Sequence, residues 1–122
     1  LNTYWADGLI ISTPTGSTGY SLSCGGPIIS PGTNNIIITP IAPHNLNVRP
    51  IIINDNSIIK LKVEDRDQLA LVALDSCSRA FDSSEELTIK KANFRINLIE
   101  PQGNTFTSTI RSKLMWGSDK RN

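Results

Sequence analysis

The sequence predicts a mainly β fold, a β-sandwich of short, mostly antiparallel strands with one or two short helices. Short runs rich in β-branched residues recur along the chain, and turn-forming clusters separate them, whereas few segments have the period of a helix. The predicted strands are 8–12, 36–41, 48–53, 58–63, 69–74, 87–91 and 94–100.

The pattern within each run predicts how its strand is covered. Runs 36–38 and 51–53 are isoleucine at every position, which is typical of strands covered on both faces. Runs 59–63 and 94–98 alternate apolar and polar residues, as in a sheet with one face in water. Turn clusters lie at 31–35, 54–57 and 65–67.

Two segments have the signals of a helix. Residues 18–24 form the first predicted helix, with Ser17 or Thr18 as its N-cap, and they end before Gly25-Gly26-Pro27. Residues 108–114 form the second predicted helix. We expect one domain over residues 1–116 and a polar tail over 117–122.

Composition excludes several classes of function. The 122 residues include 12 basic and 11 acidic side chains, so the net charge of +1 creates no field that would attract nucleic acid. No apolar run approaches the roughly 20 residues that cross a bilayer, and no signal peptide is visible, so we expect a cytoplasmic protein without membrane contact. Cys24 and Cys77 are too few for a disulfide framework or a four-thiolate zinc site, and we predict no metal site.

The first 48 residues contain a single formal charge, Asp7. One interpretation of such a stretch is that it is core or is covered by another part of the chain. The other is that it forms the floor of a pocket in which hydroxyls and backbone amides bind a polar ligand. These interpretations are compatible, and the sequence leaves them open.

Residues 7–28 carry the densest chemical signal. A predicted strand enters a Pro-Thr-Gly turn, where Gly16 permits close backbone approach, and then the start of a helix. Hydroxyls of Thr15, Ser17, Thr18, Ser21 and Ser23 are able to contact a sugar or a base. Free amides at a helix start favour phosphate. The pattern therefore indicates a nucleotide site.

Better-known motifs do not account for this segment. A P-loop needs a lysine after its last glycine, but no lysine precedes Lys60, and the dinucleotide fingerprint GxGxxG is absent. A serine hydrolase is disfavoured because the GxSxG elbow is missing. In such an enzyme the sole histidine, His44, would have to act as the base for Ser17, with Asp7 to orient it.

The run DGLIISTPTGSTGYSLSCGGPI closely resembles the signature of the NAD kinase family. Segments 38–44, 49–50 and 113–116 follow in the order that this family shows. NAD kinases transfer the terminal phosphoryl group of ATP, or of polyphosphate in some members, to the adenosine-ribose 2′-hydroxyl of NAD, and they use a divalent cation. The resemblance implies the C-terminal, β-rich domain of an NAD kinase or diacylglycerol kinase-like protein, in an enzyme that is a homodimer or homotetramer.

The resemblance also implies that catalysis depends on residues upstream of this chain. The family's GGDGT motif, whose aspartate is the proposed base, and its Asn-Glu or Asn-Asp pair for NAD do not occur in this sequence. We therefore expect no catalytic residue here and no activity from the fragment alone. Mg²⁺ is expected to serve the full-length enzyme and not to bind this fragment tightly.

By the same resemblance, residues 18–23 line the NAD pocket, and Tyr20 offers it an aromatic face. Asp7 is expected near the nicotinamide end, in some members across a subunit contact. Thr15 and Ser17 are further candidates, and Cys77 aligns with a turn that often brings Gln or His to the pocket. His44 and Arg49 are expected to make structural hydrogen bonds. The residues of the pocket segment are Thr18, Gly19, Tyr20, Ser21, Leu22 and Ser23.

Two other classes of function remain open at this point. Lipid kinases of the diacylglycerol or sphingoid-base type resemble NAD kinases in architecture, although the hydroxyl-rich residues 15–23 do not suit an apolar ligand. A non-catalytic nucleotide-binding module is the other alternative, and its charge-poor residues 1–48 would serve as an assembly surface.

Overall fold

A computed structural model of the chain describes residues 2–64, 69–99, 103 and 105–116. It contains short antiparallel strands and two α-helices, so the predicted mainly β class is confirmed. The elements in chain order are β1 Gly8–Ser12, a 3-10 helix Thr15–Thr18, α1 Tyr20–Ser23, β2 Asn35–Ile41, β3 Ile51–Asn54, β4 Ile59–Leu61, β5 Leu69–Leu74, β6 Cys77–Asp82, β7 Leu87–Ile89 and α2 Phe106–Leu114.

The chain divides into two compact units, and the first consists of residues 1–54 and 94–122. Its sheet has the order β1-β2-β3, and both pairs are antiparallel. The central strand β2 is covered on both faces, as residues 36–38 predicted, and Ile37 is fully buried. The same prediction for β3 is wrong, because Ile52 is 45% exposed on a strand that pairs only with β2 among the described residues.

Residues 55–93 form the second unit. It holds two antiparallel pairs, β4 with β7 and β5 with β6. Side chains of β4 and the following residues alternate between covered and exposed, which confirms the predicted one wet face of 59–63. Ion pairs join Lys60 to Glu86 at 2.9 Å and Lys91 to Asp55, and each links the start of this unit to its end.

The strands predicted over 48–53, 58–63 and 87–91 have other bounds in the structure, which are those of β3, β4 and β7. At two further places the structure differs in whether a strand is present at all. Residues 94–99 form no strand although their side chains alternate, and Ile96 is 81% exposed, because alternation specifies a face but not a partner with free backbone groups. Conversely, β6 was not predicted, since its sequence CSRAFD is weakly apolar; its pairing with β5 follows from the two-residue turn between them, where Asp75 has φ 50°. The turn predicted at 65–67, Glu100 and the tail 117–122 lie outside the described residues.

Both helices differ from their predicted bounds. The segment predicted as one helix over 18–24 is a 3-10 helix followed by a single α-turn, and Gly19 precedes that turn without a side-chain cap, so the predicted Ser17 or Thr18 cap is wrong. Helix α2 starts two residues earlier than predicted, because Thr105 and Ser108 form a capping box. The domain boundary at 116 stays a prediction.

Candidate nucleotide-binding segment

The segment from Thr13 to Gly26 connects β1 to the chain that leads into β2, and backbone hydrogen bonds hold its turns. The Ser17 amide donates to the Pro14 carbonyl at 3.1 Å, and the Gly19 amide donates to the Gly16 carbonyl at 3.0 Å. We call residues 13–26 the binding segment. Its two helical pieces are too short to be stable alone, so contacts with the sheet and the following chain must fix them.

Ser17 provides the first of these contacts. Its side chain is fully buried. Its Oγ accepts a hydrogen bond from the Ile29 amide at 3.0 Å and donates a longer one, at 3.4 Å, to the Ile29 carbonyl. The hydroxyl therefore closes the binding segment onto the chain beyond it. The predicted contact between Ser17 and a ligand stays a prediction, and in this structure the Ser17 hydroxyl bonds to the backbone of Ile29.

Ser21 provides the second contact. It is 1% exposed, and its Oγ lies 2.8 Å from Oγ1 of Thr39, a fully buried residue of β2. Gly26 covers this pair: its amide donates to the Ser21 carbonyl at 2.8 Å, and a Cβ at Gly26 would overlap the Ser21 hydroxyl. Thr39 was not predicted from the sequence. The signal that could have found it is a polar residue within the isoleucine-rich β2, because a buried hydroxyl needs a partner.

Other predicted residues of the segment face solvent. Tyr20 is 63% exposed, and Thr18 and Ser23 are exposed as well, whereas Leu22 is half-buried. Thr15 and Gly19 are also exposed, and Thr18 Oγ1 donates to the Thr15 carbonyl at 3.5 Å. We call Thr18, Tyr20 and Ser23 the outer face of the binding segment, because all three are exposed; they offer three hydroxyls and an aromatic ring to a ligand.

Asp7 lies apart from this face. Its amide donates to the Ile41 carbonyl at 3.0 Å, so it sits at the start of β1, while the binding segment begins after the other end of that strand. Five residues of strand span roughly 17 Å. Asp7 and the outer face would therefore contact opposite ends of an extended ligand, or different ligands.

Cys77 belongs to the second unit, where it is exposed and pairs with Leu74 at the start of β6. Its proposed relation to the NAD pocket stays a prediction. Arg49 makes the structural hydrogen bonds that were expected, from Nη1 to the Leu46 carbonyl at 2.6 Å and to the Val48 carbonyl at 2.8 Å.

His44 is exposed, and its backbone amide donates to the Trp5 carbonyl at 2.8 Å. The two residues line a shallow cavity of about 290 Å³ in the first unit. Trp5, which no sequence motif had indicated, is 76% exposed. The remaining lining residues are Asn2, Thr3, Asn45 and Val48.

The part of the chain that the structure describes contains neither a metal-binding cluster nor a membrane-spanning helix. Within 2–64, 69–99, 103 and 105–116, no three His, Cys, Asp or Glu side chains lie close enough to hold a metal. In the same part of the chain, no helix is long and apolar enough to span a bilayer.

Comparison with known proteins identifies the family. A model of the ATP-NAD kinase C-terminal domain matches residues 1–101. The chain is 62% identical to an NAD kinase of Flavobacterium psychrophilum and 59% identical to one of Christiangramia forsetii, over all 122 residues in each case. It spans 42% of the length of these relatives.

Solved structures agree with the sequence relatives. Yeast NADH kinase complexed with NADH superposes with a TM-score of 0.81 at 29% identity, covering 95% of this chain and 37% of that one. An NAD kinase from Archaeoglobus fulgidus in complex with ATP superposes with a TM-score of 0.65 at 37% identity, over 73% of this chain and 34% of that one. The matching family model, the relatives and the shared fold together place the chain in the ATP-NAD kinase C-terminal domain family.

Proposed function

We propose that the full-length protein containing this chain is an NAD kinase, which transfers the terminal phosphoryl group of ATP to the adenosine-ribose 2′-hydroxyl of NAD and so makes NADP. In this proposal the chain supplies the part of the enzyme that binds NAD. The observation that carries it is the outer face of the binding segment, where Thr18, Tyr20 and Ser23 are exposed on a backbone that buried hydroxyls hold in place.

The chemistry of this face suits the adenosine half of NAD. A ring as exposed as that of Tyr20 offers a surface on which adenine can stack, and the hydroxyls of Thr18 and Ser23 are able to exchange hydrogen bonds with ribose or base. In a bisubstrate reaction, holding the acceptor ribose in one orientation lowers the entropic part of the barrier. The contribution of this chain is therefore to orient the acceptor.

Asp7 is proposed to act at the other end of the same ligand. Its exposed carboxylate, roughly 17 Å from the binding segment along β1, suits a contact with the nicotinamide end of an extended NAD molecule. Thr15 is proposed as a flanking contact, because it is exposed next to Thr18 in the 3-10 helix.

Phosphoryl transfer generally uses a divalent cation beside the donor phosphates and a carboxylate that positions the attacking hydroxyl. The described residues offer no cluster that fits a metal ion. We propose that the full-length enzyme uses Mg²⁺, binds ATP or polyphosphate and provides the catalytic base. We also propose that it is a cytoplasmic homodimer or homotetramer.

The names of the relatives and neighbours support an NAD-linked kinase. The yeast enzyme is complexed with NADH and the archaeal one with ATP, and the similar bacterial proteins are NAD kinases. None of these proteins is a lipid kinase, and the hydroxyl-bearing outer face does not suit an acyl chain, so the lipid kinase alternative is not favoured.

The test is to purify the full-length protein, incubate it with NAD, ATP and Mg²⁺, and measure NADP with an NADP-specific dehydrogenase. Tyr20→Ala should raise the KM for NAD by about fivefold to 100-fold, the range for loss of one base-stacking contact, and leave the KM for ATP unchanged. Thr107→Ala, at an exposed position of α2, is the matched control. Absence of NADP, or phosphorylation of diacylglycerol instead, would contradict the proposal.

A further inference from the structure

Two hydroxyls that face away from solvent connect the binding segment to the sheet. Ser21 is 1% exposed and Thr39 is fully buried, and their oxygens are 2.8 Å apart. Neither hydroxyl is open to a ligand in this structure. Ser21 was predicted to contact NAD directly, so its burial calls for another role.

The position of Ser21 indicates what that role is. Helix α1 contains a single turn, and Ser21 is its only fully buried residue, while Tyr20 and Ser23 of the same turn are exposed. One turn of helix is not stable without tertiary contacts. The Ser21 hydroxyl therefore provides an anchor on the side of α1 opposite the exposed residues.

Thr39 is a suitable anchor point because β2 is the central strand of its sheet. On β1 its partner is Ile10, and β2 is buried from residue 36 to residue 40. The residues of β2 before Thr39 also pair with β3, so Thr39 lies on a strand that backbone hydrogen bonds hold from both sides up to Ile38. Gly26 lies directly against the pair, because a Cβ at this position would be 3.0 Å from Thr39 Oγ1 and would overlap the Ser21 hydroxyl.

We propose that Ser21 and Thr39 are positioning residues, which orient Tyr20 and Ser23 toward NAD through their shared hydrogen bond and do not themselves touch the substrate. This inference rests on the proposed function, because it describes how the same NAD-binding face is held. It reassigns Ser21 from ligand contact to support, and it adds Thr39, which lies 18 residues further along the chain.

The pair can be tested in the full-length enzyme by replacing Thr39 with valine, which has its shape, and with serine, which keeps its hydroxyl. Thr39→Val keeps the shape but removes the hydroxyl, and it should raise the KM for NAD on the order of tenfold to 100-fold, the cost of a small misplacement in a binding site. The KM for ATP should stay unchanged. Thr39→Ser keeps the hydroxyl and should restore the KM for NAD to within about twofold of wild type.

A control separates positioning from general loss of stability. Ile59→Val removes one buried methyl group from the second unit, far along the chain from the binding segment, and it should leave both KM values unchanged. A merely structural Thr39 would behave like this control: the valine variant would lose active enzyme, and kcat would fall with both KM values unchanged.

A double-mutant cycle tests whether Ser21 acts only through Thr39. Ser21→Ala and the double variant with Thr39→Val should raise the KM for NAD by the same factor as Thr39→Val alone, because all three break one bond. Multiplied effects in the double variant would mean that Ser21 contacts NAD itself and would overturn the inference. Equal KM values for wild type and Thr39→Val would also overturn it, and Ser21→Ala gives the same comparison if Thr39→Val does not fold. A wild-type enzyme that makes no NADP would contradict the proposed function instead.

Discussion

A methyl group at Gly26 should disrupt the contact between the binding segment and the sheet. In Gly26→Ala the new Cβ would overlap the Ser21 hydroxyl and would lie 2.7 Å from the Ser21 carbonyl oxygen and 3.0 Å from Thr39 Oγ1. None of these atoms can move freely, since the Ser21 hydroxyl bonds to Thr39 and the Ser21 carbonyl accepts from the Gly26 amide.

The cost can be estimated from these contacts. Overpacking in a closed site costs about 1–3 kcal/mol, and loss of the Ser21–Thr39 bond, which leaves buried hydroxyls unpaired, costs about 1–3 kcal/mol more. The lower backbone entropy of alanine in the unfolded chain offsets about 0.4–1 kcal/mol. We therefore expect Gly26→Ala to lower the free energy of unfolding by about 1–6 kcal/mol, a range that extends beyond the effect of most single substitutions.

The assay is denaturant unfolding of the full-length protein, with Gly25→Ala as the matched control. Gly25 has φ 80°, and no heavy atom lies within 4 Å of the position that an added Cβ would take, so its substitution should cost only the about 1–2 kcal/mol of a left-handed alanine. Removing the Ser21 hydroxyl first should reduce the cost of Gly26→Ala, with a coupling of about 0.5–3 kcal/mol. A loss below about 1 kcal/mol for Gly26→Ala, or no coupling with Ser21→Ala, would refute this account of the packing.

Three further predictions concern other contacts. Ser17→Ala should speed hydrogen exchange of the Ile29 amide about tenfold or more, because the Ser17 hydroxyl is its acceptor and a net bond of about 1.4 kcal/mol corresponds to tenfold; unchanged exchange would show that the bond does not protect the amide. The hydrogen bonds from the side chain and backbone of Ser84 lower the pKa of Asp82 below its ordinary value of 3.8, so their stabilisation of the turn is full above that pH and is lost as the pH falls through the lower folded value; an NMR titration of the Ser84 amide with a midpoint at or above 3.8 would contradict this. Thr105→Ala removes the capping box of α2 and should lower its stability by about 0.5–2 kcal/mol, measured by amide exchange within the helix, and equal exchange in both proteins would contradict the role of the cap.

Local patterns were sufficient where hydrophobicity and backbone preference agree. The bounds of β1 and β5 follow directly from their apolar runs, and the isoleucines of β2 are buried as their unbroken run predicts. The motif over residues 7–28 also resembled the family that the comparisons identify. These conclusions depend on residues that are adjacent in sequence, so one sequence can provide them.

Other features depend on which residues meet across the fold. Residues 94–98 have the alternation of a strand, but the described chain pairs them with no other strand, whereas the weakly apolar β6 is a strand because β5 lies beside it. Strand formation requires a neighbour with free hydrogen-bonding groups, and the sequence pattern of one segment does not specify that neighbour.

Tertiary structure likewise decided which serine hydroxyls of the binding segment are buried and which are exposed. Ser17, Ser21 and Ser23 are chemically identical, and the sequence predicted contact with a ligand for each of them. Ser17 and Ser21 are buried and form hydrogen bonds with Ile29 and Thr39, whereas Ser23 is exposed. A helical turn has an inner and an outer side, and only packing determines which residues lie on each side. The sequence by itself therefore determined the chemistry available in this segment, and the tertiary structure decided which hydroxyls support the fold and which remain open to a ligand.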